Sequence, residues 1–178
     1  DDLKISTKEI QIKDLISLIR TIKGSPQLFV LESITKEGLI SANIDLTFEL
    51  DGEIKNDYQI NGAVKEAKFN IFNQVEIENL NLLFDISKNQ LTLRKVETDL
   101  NNIRLRSSLI QIEEKKNIFF VDGKVISDQQ NFDINKLKPI LGNLLNTIEI
   151  EKIDFKSINT FSFNLNKNFK LNDLKIET

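Results

Sequence analysis

Arg94, Lys95, Arg104 and Arg106 stand close together in a chain otherwise poor in arginine. Arg104 and Arg106 are two residues apart, so on a strand they share a face. There they could meet a phosphate headgroup or pair with Glu97 or Glu113. The other polar side chains assemble no reactive set. Glu113-Glu114 lies beside Lys115-Lys116, the composition of a solvated hairpin tip rather than of a general acid and base. Asp1-Asp2, Asp45, Asp51 and Asp57 lack calcium-loop spacing. The chain has no His and no Cys, which removes the commonest general base, the commonest metal ligands and any disulfide. Its serines and threonines have no imidazole to activate them. The six glycines are isolated, with no phosphate-cradling loop. No enzyme activity, cofactor or metal is expected.

With 178 residues the chain can bury a sizeable core, although 40% apolar content is slightly low for a globular domain. The net charge of −3 is small and the signs are interspersed, so no nucleic-acid footprint exists. No apolar run is long enough for a transmembrane helix in this stretch. The chain begins Asp1-Asp2 and contains no Met, and is expected to be one segment of a longer protein.

What remains is alternation. In Ile40 to Leu50 every even residue is apolar and every odd one polar, the pattern of a strand with one greasy and one wet face. Such a strand spans on the order of 35 Å, and its even residues are expected to face inward. Before it, Leu3 to Ile12 reads as a strand. Leu15, Ile16, Leu18, Ile19 and Ile22 then fall at helical spacing, with Asp14 as N-cap and Ile19 expected to be buried against the sheet. A second helix opens at Ser25-Pro26 and runs to about Ile34. Asp51-Gly52 is a two-residue hairpin signal, the alternative being a turn that extends to Asn56-Asp57. The return strand covers Tyr58 to Val64 and Ala67 to Phe72, with Gly62 as a bulge or a point of close approach. Further strands are expected at 75–86, 91–96, 103–112, 118–126, 148–155, 160–165 and 169–176. A third helix is expected at 134–145, with Pro139 kinking or starting it.

These elements predict a mainly β fold with a few short helices, near residues 13–23, 26–34 and 134–145. The chain divides into a helical lead-in (1–35), antiparallel strands (36–130), a helix (131–146) and further strands (147–178). Tyr58-Gln59-Ile60-Asn61-Gly62-Ala63-Val64 resembles Phe119-Phe120-Val121-Asp122-Gly123-Lys124-Val125. Likewise Phe84 to Asn89 resembles Phe163 to Asn168, at a different offset, which fits a loosely repetitive meander. A long antiparallel meander with few helices to cover it curls into an open groove. An uncovered apolar concavity is the default site for a hydrophobic ligand. Its candidate lining is Ile40, Ile44, Leu46, Phe48, Leu50, Ile60, Leu80, Leu82, Phe84 and Ile86. Arg104 and Arg106 are weaker candidates for headgroup contact. The alternative is a structural or protein-interaction β-domain with a closed core and no lipid.

The order of features resembles the AsmA-like superfamily of bacterial envelope proteins, in particular its large YhdP- and TamB-type members. The features are the two helices, Lys36-Glu37-Gly38-Leu39 leading into the long strand, and the return strand through Asn61-Gly62. After these come Asn79-Leu80-Asn81-Leu82-Leu83-Phe84-Asp85-Ile86 and Phe119 to Val125. The resemblance implies a β-taco-like groove in the periplasm, anchored in the inner membrane through a part of the parent protein absent here. It further implies phospholipid acyl chains as partners, transport of phospholipid between inner and outer membranes, and a role in outer-membrane homeostasis. Family members are much longer than this chain.

Overall fold

From β3 (Thr35–Thr47) to the last strand, each strand pairs antiparallel with the next in chain order. The computed structural model describes residues 2–22, 26–52, 55, 57–71, 75–116, 118–133, 152–166 and 171–178. β1 (Asp2–Ser6) and β2 (Ile10–Gln11) precede α1 (Ile12–Ile22) and α2 (Pro26–Ile34). Then follow β3 (Thr35–Thr47), β4 (Gln59–Ile71), β5 (Val75–Ser87) and β6 (Gln90–Leu100). β7 (Ile103–Lys115), β8 (Ile118–Asp133), β9 (Lys152–Asn166) and β10 (Leu171–Glu177) complete the order. All ten strands form one antiparallel sheet, β1-β3-β4-β5-β6-β7-β8-β9-β10, with β2 also on β3. The sheet is open, and β1 and β10 are its edges. The chain exposes 12400 Å², against about 8,900 Å² expected of a compact protein of its mass. A single layer accounts for the excess, because among the described residues no second sheet packs on the strands.

Aligned bulges keep that layer amphipathic. Glu66, Asn79 and Lys95 have φ of 49°, 51° and 50°, and each sits where the pairing register shifts or beside it. Apolar parity changes across each: Val64 to Ala67, Ile77 to Leu80, Leu93 to Val96. A bulge inserts one residue, so without the parity change every later side chain would swap faces. The bulges also brace one another, since the Glu66 amide donates to Asn81 Oδ1 and Asn79 Nδ2 donates to Asp99. Tight turns need positive φ as well, and Asn101-Asn102 supplies it at 47° and 65° between β6 and β7.

A packed cluster of buried residues lies at one corner, and Phe84, Val96, Ile103 and Val121 are buried farther along the sheet. Ile12 and Ile16 of α1 pack on Ala67, with Leu28, Ile40, Val64, Phe69 and Leu80 around them. Gly38 permits the approach: a Cβ there would lie 2.7 Å from Ala67 and 2.8 Å from Ile12 Cδ1. Thr35 adds a fully buried hydroxyl that donates to the Leu31 carbonyl, tying the end of α2 to β3.

Several expectations need correction. The first strand is split, because Thr7 breaks the ladder. Its Oγ1 accepts from the Ala42 amide while its own amide donates to the Ala42 carbonyl. α1 starts at Ile12, so Asp14 is not the cap but lies inside the first turn, where its charge favours the helix dipole. Ile12 and Ile16, four apart, form the buried stripe, and Ile19 is 39% exposed. β3 ends at Thr47, short of Leu50, and the loop after it takes the wider of the two expected forms: the Gly52 amide reaches Glu49 and the Lys55 amide reaches Thr47. Glu113 and Glu114 belong to β7 rather than to a hairpin tip. β8 runs on to Asp133, so 131–133 is strand, and 152–166 is one strand rather than two. The helix expected at 134–145 lies outside the described residues.

Candidate functional site

Cross-strand partners share a face, so the register alone assembles the candidate site. One row runs Ile5, Ile44, Ile60, Ile86, Leu91, Ile112, Val121, Phe163. The next runs Ala42, Gly62, Phe84, Leu93, Ile110, Gly123, Phe161, Ile176. From β3 to β9 these rows cross seven strands, about 29 Å at the usual strand spacing, without a polar side chain. Most of their members are only half-buried, and Ile5 and Ile176 are exposed.

The two glycines in the second row have a shared geometry. Gly62 faces Phe84 and Gly123 faces Phe161. A Cβ on Gly62 would sit 2.6 Å from Phe84 Cζ and would strike the Ser41 carbonyl. A Cβ on Gly123 would sit 2.8 Å from Phe161 Cζ. Each ring therefore lies over a bare backbone and shields it. This gives the internal similarity a physical content, although the ring matching Phe84 is Phe161, not Phe163. Phe84 is 7% exposed, and the approach of its ring to Gly62 contributes to that.

Ile44, Ile60, Phe84 and Ile86 lie in these rows, and Ile40 and Leu82 in the adjacent row through Val64. Leu46 continues the face opposite Leu3. Ile40 and Leu80 pack around the helix-capped core, so they are covered by protein rather than open. Phe48 lies just past the end of β3. Leu50 does not line the face: it sits in the turn with relative exposure of 109%. The rows also bring in Leu91, Leu93, Ile110, Ile112, Val121, Phe161 and Phe163, whose alternation was visible in the sequence but whose register was not. A shallow hollow of about 170 Å³ opens on this face at the end away from the helices, lined by Tyr58, Ile86, Leu91, Ile112 and Phe119 among others.

The reverse face is polar and laced with ion pairs. Arg104 and Arg106 are placed here, alternating with the apolar Ile103 and Leu105. Arg104 bridges Glu97 at 2.8 Å and Asp99 at 3.5 Å, and Arg106 pairs with Asp128. The carboxylates use their charge, and both guanidinium groups face away from the apolar rows. Nearby, Lys68 on β4 pairs with Glu78, and that hydrogen bond raises its pKa above the ordinary lysine value against a smaller opposing effect of burial. Larger hollows, of about 480 Å³ and 210 Å³, also open on this face, around Asn61 and Asp85.

Among the described residues no group of three or more acidic side chains could hold a metal ion, and no helix is long and apolar enough to cross a membrane. In comparisons with known proteins, no family model matches the chain, and no curated protein or solved structure matches it significantly.

Proposed function

We propose that this chain is a non-enzymatic segment of a hydrophobic groove that shields phospholipid acyl chains. The observation that carries the reading is the pair of apolar rows running uninterrupted across an open, single-layered sheet. A packed sandwich covers such rows with a second sheet. Here, among the described residues, only α1 and α2 cover the face, at one corner. A half-exposed apolar strip of this length stabilises an acyl chain by removing it from water, at about 0.8 kcal/mol per buried methylene. The polar reverse face keeps the same sheet in contact with solvent. The likeness to AsmA-like envelope proteins belongs to the same reading: a periplasmic segment of an inner-membrane-anchored parent, acting in phospholipid movement between the two membranes.

Native mass spectrometry of the 178-residue chain, purified without detergent from cells, tests it. The expected result is co-purified phospholipid that disappears when Leu93 and Ile110 are both changed to Asn. Chain that is folded, monomeric and free of lipid, with no uptake from phospholipid vesicles, would sink the proposal and favour a structural or protein-interaction sheet.

A further inference from the structure

The polar face carries a second feature that acyl-chain binding leaves unused. A hollow of about 480 Å³ is lined by Ser41, Asn43, Asn61, Leu83, Asp85 and Arg94, with Ala63 in its floor. A second, of about 210 Å³, shares Asn61 and Asp85 with it and continues over Gln59, Ser87, Gln90 and Thr92. Together they form a trough across β3 to β6 on the side opposite the apolar rows.

Its chemistry is unlike that of the surrounding ion-paired surface. The lining of the larger hollow sets the hydroxyls and amides of Thr7, Ser41, Asn43 and Asn61 beside apolar Ala42, Ala63, Leu83 and Phe84, with a single charge pair, Arg94 to Asp85 at 2.5 Å, which cancels itself. That excludes an anion-selective site, because the guanidinium is already matched, and it excludes a phosphate backbone for the same reason. The amides are linked by hydrogen bonds: Ser6 donates to Asn43 Oδ1 at 2.7 Å, and Asn43 Nδ2 donates to Asn61 Oδ1 at 3.2 Å. Asn61 is thereby oriented, with its amide nitrogen as a remaining donor. The row of cross-strand partners extends the same character: Ser6, Asn43, Asn61, Asp85, Thr92, Gln111, Asp122, Ser162.

A ligand hydroxyl is both donor and acceptor, so it satisfies an amide on either side and a carboxylate as well. Leu83 and Ala63 offer an apolar patch for the C–H face of a ring. We propose that this trough binds a neutral polyhydroxylated chain, an oligosaccharide, across β3 to β6. The two faces of the sheet would then carry two chemically opposite ligands.

Titration calorimetry of the 178-residue chain with cellotetraose, chitotetraose and maltotetraose, each up to about 10 mM, is the test. At least one is expected to bind, with an affinity insensitive to salt because the lining has no net charge. Asn61→Ala should weaken that binding about tenfold, the worth of one hydrogen bond, while the thermal midpoint stays put. Ser41→Ala serves the same purpose if Asn61→Ala fails to fold. The proposal is overturned if none of the three sugars binds, if the variants bind as the parent does, or if a short alanine–glycine peptide binds in preference to all three.

Discussion

Ile40, Val64 and Leu80 at one corner of the sheet obey the same period-two rule as Leu91, Ile110 and Ile112 farther along it. The first three pack around Ile12, Ile16 and Ala67 beneath α1. The second three lie in continuous rows of the same face and remain half-exposed. Periodicity fixes which side of a strand is apolar; it does not fix what covers that side. The cover comes from elements elsewhere in the chain. Here an amphipathic helix supplies it over β3 to β5, and Gly38 leaves room for the helix to descend. The consequence, among the described residues, is a helix-capped cluster at one corner and a mostly half-exposed apolar face over the rest, with Phe84, Val96, Ile103 and Val121 buried along the sheet.

That contrast predicts unequal mutational costs. Ile16 is 4% exposed within the core, so Ile16→Ala should destabilise by about 2–5 kcal/mol, the range for truncating a buried aliphatic side chain. Urea unfolding would read it as a lower midpoint with an unchanged slope. A variant as stable as the parent would mean that α1 is not docked, and the distinction between corner and lining would collapse.

Ile112→Asn probes the other side. Its side chain is already partly in water, so the folding cost should be about 1 kcal/mol or less. Phospholipid capture by the chain should nevertheless fall, since Ile112 lies in the middle of the first apolar row and in the wall of the shallow hollow beside Leu91. A loss as large as that of Ile16→Ala would show Ile112 to be packed by protein, and the whole face to be core.

The faces themselves were legible in the sequence, because alternation maps directly onto a pleat. Ile40, Ala42, Ile44 and Leu46 of β3 do share one face, and Asp45 lies opposite, paired with Lys4. The break between Val64 and Ala67 was legible too, as a gap in the return strand that the bulge at Glu66 explains, whereas the parity change from Ile77 to Leu80 was not. What could not be read was register, which depends on turn geometry rather than on strand composition. Leu50 alternates perfectly with Phe48 yet falls in the turn. Ile19 shares the helical face of Ile12 and Ile16 yet is 39% exposed, beyond the cluster that those two form with Ala67. Arg104 and Arg106 share a face, as their spacing required, but only the pairing with Glu97, Asp99 and Asp128 shows that it is the polar one.

The smallest effect is expected behind the covered corner. Lys68 follows Ala67 on β4 and points to the opposite face, where it pairs with Glu78 across β5. The hydrogen bond to Glu78 is the main cause of its raised pKa, and the charges of Glu78, Glu76 and Glu37 add to it while burial opposes. A cation whose pKa is higher in the folded chain than in the unfolded one binds its proton more tightly when folded. Its contribution is therefore complete below the ordinary lysine range and fades as pH rises through the raised value. The difference in urea midpoint between the parent and Lys68→Met should hold constant from neutral pH to mildly alkaline pH, then shrink above the ordinary lysine range. High salt should shrink it as well, because the pair is at the surface. A difference that stays constant through and above the ordinary lysine range would assign the stabilisation to packing at this position and not to the charge of Lys68. The reverse of the corner would then be held by packing, as its front is.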